Sequence, residues 1–258
     1  WDRTLGDWGT EFFYGVAVDS SDNIICAGMC ISGSAGSFDG FIAKYNSSGT
    51  LQWDRRLGGG SLDYFYGVAV DSSDNIICAG YTNSDGAGNY DALIAKYNSS
   101  GTLQWDRTLG GTGTEYFNAI AVDSSDNYIC AGGTQSDCFI AKYNSSGTLQ
   151  WDRTLGTSGQ DYFESVTVDS SDNIICAGLN TANYDAITFR IISDGTLTGT
   201  HGSYYGGFVY AAAGMTDAGA VLTDAKAFLT DAEAVLTDAE AVLTDAEAVL
   251  TAELIEVS

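Results

Sequence analysis

Four short strings in this chain set a carboxylate beside aromatic rings: Glu11-Phe12-Phe13-Tyr14, Asp63-Tyr64-Phe65-Tyr66, Glu115-Tyr116-Phe117 and Asp161-Tyr162-Phe163. A carboxylate accepts hydroxyl protons and a ring covers an apolar face, so together they can recognise a sugar. Glu11, Phe12, Tyr14, Asp63, Tyr64, Tyr66, Glu115, Tyr116, Asp161 and Tyr162 are therefore candidate ligand-binding residues, with carbohydrate as the expected ligand class. Repeated weak sites would gain from avidity. The competing reading packs the rings between sheets and puts the acids in turns, because aromatic residues at repeated positions usually belong to a core.

Two other sets of oxygen-bearing residues recur. The loops Asp19-Ser-Ser-Asp22-Asn23 and their copies place Asp19, Asp22, Asp71, Asp74, Asp123, Asp126, Asp169 and Asp172 where they could offer oxygens to calcium. They lack the alternating ligands and distal Glu of a calcium loop, so a structural turn is the favoured reading and no cofactor other than calcium is entertained. Asn46-Ser-Ser48, Asn98-Ser-Ser100 and Asn144-Ser-Ser146 satisfy the glycosylation sequon, which makes Asn46, Asn98 and Asn144 candidate glycan acceptors; an ordinary hairpin turn is the alternative. No catalytic constellation stands out. The single histidine, His201, has no nucleophile or acid motif around it, and no phosphate loop or metal-ligand spacing is present, so the chain is not expected to be an enzyme.

The charge balance narrows the partners. With 34 acidic against 10 basic residues, a net charge of −24 repels a phosphate backbone, which excludes nucleic acid as an expected partner. No apolar run is long enough to span a bilayer. The sequence starts at Trp1 without Met or a signal peptide and reads as a mature product or a fragment. Four of the six cysteines, Cys26, Cys78, Cys130 and Cys176, share one repeat position, which predicts buried small apolar residues held apart; Cys30 and Cys138 fall outside that pattern.

The residues above must be positioned by a repeat. Tyr14-Gly-Val-Ala-Val-Asp-Ser-Ser-Asp-Asn-Ile-Ile-Cys-Ala-Gly28 returns at Tyr66, Asn118 and Glu164, and its Asp19 recurs as Asp71, Asp123 and Asp169, at spacings of 52, 52 and 46 residues. That is the period of propeller blades. Each repeat holds four strand patterns: small and apolar residues alternate over Gly15–Val18, Ile24–Ala27 is apolar on both faces, Phe41–Tyr45 is mixed, and Leu51–Arg55 alternates with polar residues. The rise in polarity places the first strand at an axis and the fourth at a rim, where Trp-Asp-Arg is expected to make surface ion pairs and cation–aromatic contacts. Asn46-Ser-Ser-Gly49 and Asp19 to Asn23 are tight turns.

The strings Gly-Val-Ala-Val-Asp-Ser-Ser-Asp-Asn-Ile-Ile-Cys-Ala-Gly and Phe-Ile-Ala-Lys-Tyr-Asn-Ser-Ser-Gly-Thr-Leu-Gln-Trp resemble the bacterial and archaeal β-propeller repeat called SBBP. The resemblance runs from Trp1 to about Leu197, with Asp22-Asn23 where the family usually has Gly-Asn. It implies a propeller fold and an extracellular or cell-surface setting, and it brings no shared catalytic residues.

The expected architecture is all-β, a propeller of four-stranded blades, with five blades favoured and four clear in sequence. The repeat units are 1–52, 53–104, 105–150 and 151–198, followed by a degenerate remainder at 199–217, so that the propeller repeats occupy 1–210. A segment over 218–258 follows, with Val at 221, 235, 242 and 249, Phe228 in register and Ala between them. Its seven-residue period predicts an acidic amphipathic helix, with a degenerate fifth blade as the alternative. Two functional readings follow: a non-enzymatic binding module for carbohydrate or another surface protein, or a self-assembling surface or filament protein joined through 218–258.

Overall fold

The computed structural model describes residues 1–6, 9–31, 37–156, 159–182 and 184–196. These residues contain strands and no helix. In chain order the strands are β1 (Glu11–Val18), β2 (Ile24–Cys30), β3 (Asp39–Tyr45), β4 (Leu51–Leu57), β5 (Asp63–Val70), β6 (Ile76–Thr82), β7 (Asp91–Tyr97), β8 (Leu103–Leu109), β9 (Glu115–Val122), β10 (Tyr128–Thr134), β11 (Cys138–Tyr143), β12 (Leu149–Leu155), β13 (Asp161–Val168), β14 (Ile174–Asn180) and β15 (Asp185–Ile191). They form antiparallel meanders β1 to β4, β5 to β8, β9 to β12 and β13 to β15, one sheet per repeat. Four blades are thus described, three with four strands and one with three. The remainder at 199–217 and the heptad segment 218–258 lie outside the described residues.

The first strand of each sheet is the innermost, with β1 against β5, β5 against β9 and β9 against β13. Small residues make that convergence possible. A Cβ at Gly15 would lie 2.9 Å from the carbonyl oxygen of Tyr66, and one at Gly67 would lie 3.1 Å from the Cα of Ala119. The second and third strands are apolar on both faces and supply the layers between sheets. Ile25, Ala27 and Ile42 of the first sheet meet Phe65, Ile76, Cys78 and Leu93 of the second, and the same pattern repeats at the next two junctions. Phe65, Phe117 and Phe163 are fully enclosed there, each contributing about 1.5–3 kcal/mol of transfer free energy.

Polar ties bind successive sheets. Within the first repeat Lys44 pairs with Asp19 at 2.7 Å, and its ammonium also donates to the Ser99 carbonyl of the next sheet. Lys96 with Asp71 and Lys142 with Asp123 repeat the arrangement, while Arg190 takes the place of lysine beside Asp169. Ser20 donates its N–H and hydroxyl to Asp74 of the following sheet, Ser72 does so to Asp126, and Ser124 to Asp172. Asp22, Asp74, Asp126 and Asp172 each hold a left-handed turn conformation with φ near 60°.

The oxygens that the Asp-Ser-Ser-Asp-Asn loops could offer to calcium are used within the protein. Asp19, Asp71, Asp123 and Asp169 are consumed by a lysine or arginine, by Asn23, Asn75, Asn127 or Asn173, and by backbone N–H groups, so the positive charge there is a side chain. Asp74, Asp126 and Asp172 are taken up by the neighbouring serines. Hydrogen bonds with Lys44 and Asn23 outweigh the burial of Asp19 and hold its carboxyl down at about 2.

The Trp-Asp-Arg strings are also more than rim decoration. The Trp53 indole N–H and the Arg55 guanidinium reach the Ser99 and Gly101 carbonyls of the next sheet, with the guanidinium 5.3 Å from the indole centroid. Trp1 and Arg3 make the same bonds to Ser47 and Gly49. Gly49 and Gly101 have φ of +79°, and a Cβ at either would press into the tryptophan ring. The Asn46, Asn98 and Asn144 side chains fold back to accept two backbone N–H bonds within their own turns. None of the six cysteines forms a disulfide; five are buried and Cys26 is half-buried, and burial pushes the Cys26, Cys78, Cys130, Cys138 and Cys176 thiols up.

Candidate functional site

The first strand of every sheet carries a β-bulge. Register slips between Phe13 and Gly15, Phe65 and Gly67, and Phe163 and Ser165, and in the third sheet Phe117 and Ala119 pair with consecutive residues of β10. The extra residues are Tyr14, Tyr66, Asn118 and Glu164. A bulge re-aims its side chain out of the ladder. Between the second and third sheets it turns Tyr66 and Asn118 into a cleft of about 300 Å³ lined by Tyr66, Tyr81, Tyr90, Thr114, Tyr116 and Asn118.

Rings continue beyond the lining. Tyr64 stacks on Tyr81 at 5.0 Å and on Tyr66 at 6.0 Å, Tyr90 meets Tyr81 edge-on at 4.9 Å, and Tyr14 tilts against Tyr66 at 5.0 Å. Five tyrosines therefore form one continuous aromatic wall. Burial pushes the Tyr64, Tyr66 and Tyr81 phenols up, and takes Tyr116 to about 12, so all four stay neutral and can both donate and accept.

The connection that delivers Tyr90 is fixed rather than loose. Glu115 N–H donates to the Tyr90 carbonyl at 2.9 Å, Asn89 N–H donates to the Gly113 carbonyl, and Tyr90 bridges to Thr114 in parallel. On the far wall Asn118 Nδ2 donates to the Phe163 carbonyl, leaving its amide oxygen for the cleft.

The expected acid-and-ring pairs separate in three dimensions. Tyr66 and Tyr116 line the cleft, and Tyr14 and Tyr64 back it. Phe12 is exposed and stacks on Tyr14 at 6.3 Å, and Tyr162 lies beside Gly133 at the next junction, outside the cleft. The carboxylates of Asp63 and Asp161 point the other way: both are 1–2% exposed. Asp63 accepts the Gly59 N–H and the Thr82 and Ser84 hydroxyls, and Glu115 accepts the Gly111 N–H. Glu11 likewise turns toward Gly6. Alternation along a strand is the cause, since neighbouring residues face opposite sides of the sheet. The acids thus sit at the connections between sheets, away from the cleft.

Tyr81, Tyr90, Thr114 and Asn118 were not among the sequence candidates. Their signal was variation: the bulge position reads Tyr14, Tyr66, Asn118, Glu164 and the end of the second strand reads Met29, Tyr81, Gly133, Leu179, whereas the positions around them scarcely change.

Two family models agree with this architecture. Residues 52–87 match the SBBP β-propeller repeat, and residues 72–103 match a second β-propeller domain of unknown function. The chain carries β-propeller repeats. An uncharacterized WD repeat-containing protein of Acanthamoeba polyphaga mimivirus is 26% identical over 151 residues, which is 44% of this propeller chain but only 11% of the viral protein. Among solved structures, a protein of unknown function from Bacteroides caccae aligns over 76% of this chain and 83% of its own at 11% identity and a TM-score of 0.46. A gluconolactonase of Xanthomonas campestris aligns over 72% and 60% at 12% identity and a TM-score of 0.44. PorZ, a bacterial surface component of the type-IX secretion system of Porphyromonas gingivalis, aligns over 70% of this chain and 26% of its own at 14% identity and a TM-score of 0.41.

Proposed function

We propose that this propeller is a non-enzymatic binding module of the cell surface or extracellular space, and that it takes a carbohydrate in the tyrosine cleft. The observation that carries the reading is the cleft itself. Its volume of about 300 Å³ is at the low end of the roughly 300–1,000 Å³ typical of small-molecule sites. Ring faces suit the apolar face of a sugar, and neutral phenols, Thr114 and Asn118 suit its hydroxyls. Nothing in the cleft is a nucleophile or a titrating acid, which fits binding without turnover. In that setting Asn46, Asn98 and Asn144 are acceptors for glycans on exposed turns.

A glycan array with the purified chain tests this, followed by titration of any captured sugar against Tyr81→Ala and Tyr66→Ala. Each truncation is expected to weaken capture by about tenfold, equivalent to about 1.4 kcal/mol, while the far-UV spectrum stays unchanged. Capture that is indifferent to both truncations refutes the site.

One observation favours a second reading, self-association of copies. Phe12, Tyr14, Val16 and Val18 are 47–67% exposed on the first sheet, and Asp22 receives no serine among the described residues, unlike its three counterparts. Sedimentation of the full chain and of Asp22→Asn with Val16→Thr separates this from assembly through 218–258, which the paired change would leave intact.

A further inference from the structure

The first and last of the described sheets each show half of a junction. The string Trp-Asp-Arg lies on the fourth strand of the first three sheets, in β4, β8 and β12, and it does not recur after β15. It does stand at Trp1 to Arg3, which belong to no sheet among the described residues, and β15 has no fourth-strand neighbour among them. Trp1 and Arg3 nevertheless reach the first sheet as a fourth strand does. They donate to the Ser47 and Gly49 carbonyls at 3.1 and 2.7 Å, just as Trp53 and Arg55 donate to Ser99 and Gly101 of the sheet that follows theirs. Residues 1–5 therefore mark the edge of a sheet that would pack on β1.

The face of β1 is uncovered. Phe13 is 40% exposed and Val16 67%, whereas the equivalent Phe65 is fully enclosed and Val68 packs into its junction. The far face of the fourth sheet is uncovered as well: Ala177 is exposed where Ala27, Ala79 and Ala131 are fully enclosed. The polar tie is split in the same way. Three junctions join a serine to the aspartate of the next sheet. The fourth serine, Ser170, is exposed and meets no carboxylate among the described residues, and Asp22 receives no serine among them. One end holds the donor half of a tie and the other end the acceptor half. Because the repeats are nearly identical, what fits each uncovered face is the face of another such sheet.

We propose that a second copy of this chain supplies that sheet: residues 1–5 of one copy pair with β15 of the other as its fourth strand, and the β1 face of the first seats on the fourth sheet of the second. This rests on the self-association reading and specifies its partner and register. In the third sheet Cys138 pairs with Leu155, Ile140 with Arg153 and Lys142 with Trp151. The equivalent pairs across copies are Ala186 with Leu5, Thr188 with Arg3 and Arg190 with Trp1. Strand addition supplies backbone bonds, and the alternate side chains supply specificity. The contact is head-to-tail, and two copies that each give a strand and take one close it with eight sheets, the upper end of the usual range of about four to eight blades. Thr188 stands where the other sheets have Ile42, Ile94 and Ile140, which makes this joint less apolar and weaker than the internal ones.

Sedimentation of the full chain comes first and should give twice the 27.1 kDa of one chain. Leu5→Cys and Ala186→Cys are then made in separate chains carrying Cys26→Ala, mixed when dilute, concentrated and oxidised. Cys138 already occupies the position equivalent to Ala186, so the fold accepts a thiol there. The inter-chain disulfide should form at least about tenfold faster than one between Ala186→Cys and an exposed control, Gln104→Cys, because docking holds the first pair at a high effective concentration. The double variant Leu5→Cys with Ala186→Cys should run as linked pairs of chains. Association without the tenfold preference overturns the register and leaves self-association standing, whereas a single-chain mass overturns both. A disulfide closed within one chain of the double variant means that the strand returns to its own fourth sheet, and it overturns the proposal.

Discussion

The ladder of buried lysine–aspartate pairs makes a sharp prediction at Lys96. Its ammonium lies 3.0 Å from Asp71 Oδ2, donates to the Tyr128 hydroxyl at 2.6 Å and reaches the Ser145 carbonyl of the third sheet. The Asp71 side chain is 2% exposed and the Lys96 side chain 11%. Lys96→Met keeps the stem's volume but leaves the carboxylate with only Asn75, Tyr128 and backbone donors. Removing one partner of a buried pair costs about 3–5 kcal/mol, and the slight exposure of Lys96 puts this case at about 3–4. At roughly 2–4 °C per kcal/mol for a domain of this size, the midpoint should fall by about 6–16 °C. Asp71→Asn with Lys96→Met should recover at least half of that, because no charge then remains buried.

The same variant predicts the direction of the pH dependence. Burial pushes the Asp71 carboxyl up, but bonds with Asn75, Lys96 and Tyr128 outweigh it and hold the folded value below the ordinary 3.8. The unfolded chain therefore binds the proton first as pH falls. The stabilisation is complete well above pH 3.8 and fades as pH drops through the folded value. Lys96→Met takes away one of the lowering bonds, so its acid unfolding midpoint should move to higher pH. Thermal and acid melts by far-UV circular dichroism read both effects. A midpoint within about 2 °C of the parent, together with an unmoved acid transition, would refute the ladder as a source of stability.

Other outcomes follow from the same geometry. Ser72→Ala removes both bonds to Asp126 across a blade junction and should cost about 1–2 kcal/mol in urea unfolding, with the sheet's infrared signature unchanged. Gly80→Ala drives a Cβ into the carbonyl of Tyr64, so this single methyl should abolish soluble expression, and Gly28, Gly132 and Gly178 should behave alike against Phe12, Tyr116 and Tyr162. With a thiol-reactive dye in native buffer, the half-buried Cys26 should label first and the other five only on unfolding; Cys26→Ala should erase the fast phase. A fast phase that survives that change contradicts the burial order.

The repeat period, the four-strand pattern within each unit and the turn chemistry were all legible in the chain, because each is a local property. Alternation places strands, Asn-Ser-Ser-Gly and Asp-Ser-Ser-Asp-Asn specify turns, and near-identical copies must fold alike. The buried cysteines were legible for the same reason. The partner of each polar group was not. Lys44 and Asp19 sit 25 residues apart in sequence, and only the pairing of β2 with both β1 and β3 brings them to 2.7 Å. Ser20 and Asp74 meet across two different sheets.

The site shows the division most clearly. Sequence placed an acid and two rings at the head of each first strand, yet a strand turns consecutive residues to opposite sides, so the acid goes to the junction and one ring to the core. A bulge then frees the next residue, Tyr66 or Asn118, from the ladder and aims it at the cleft. Residue types and spacing determined that the chain builds β-propeller repeats with aromatic and acidic positions at one end of each strand. Tertiary packing alone decided which rings meet, because Tyr66, Tyr81 and Tyr90 come together only when β5, β6 and the connection before β7 fold into one sheet, and Tyr116 joins them only once the third sheet has docked.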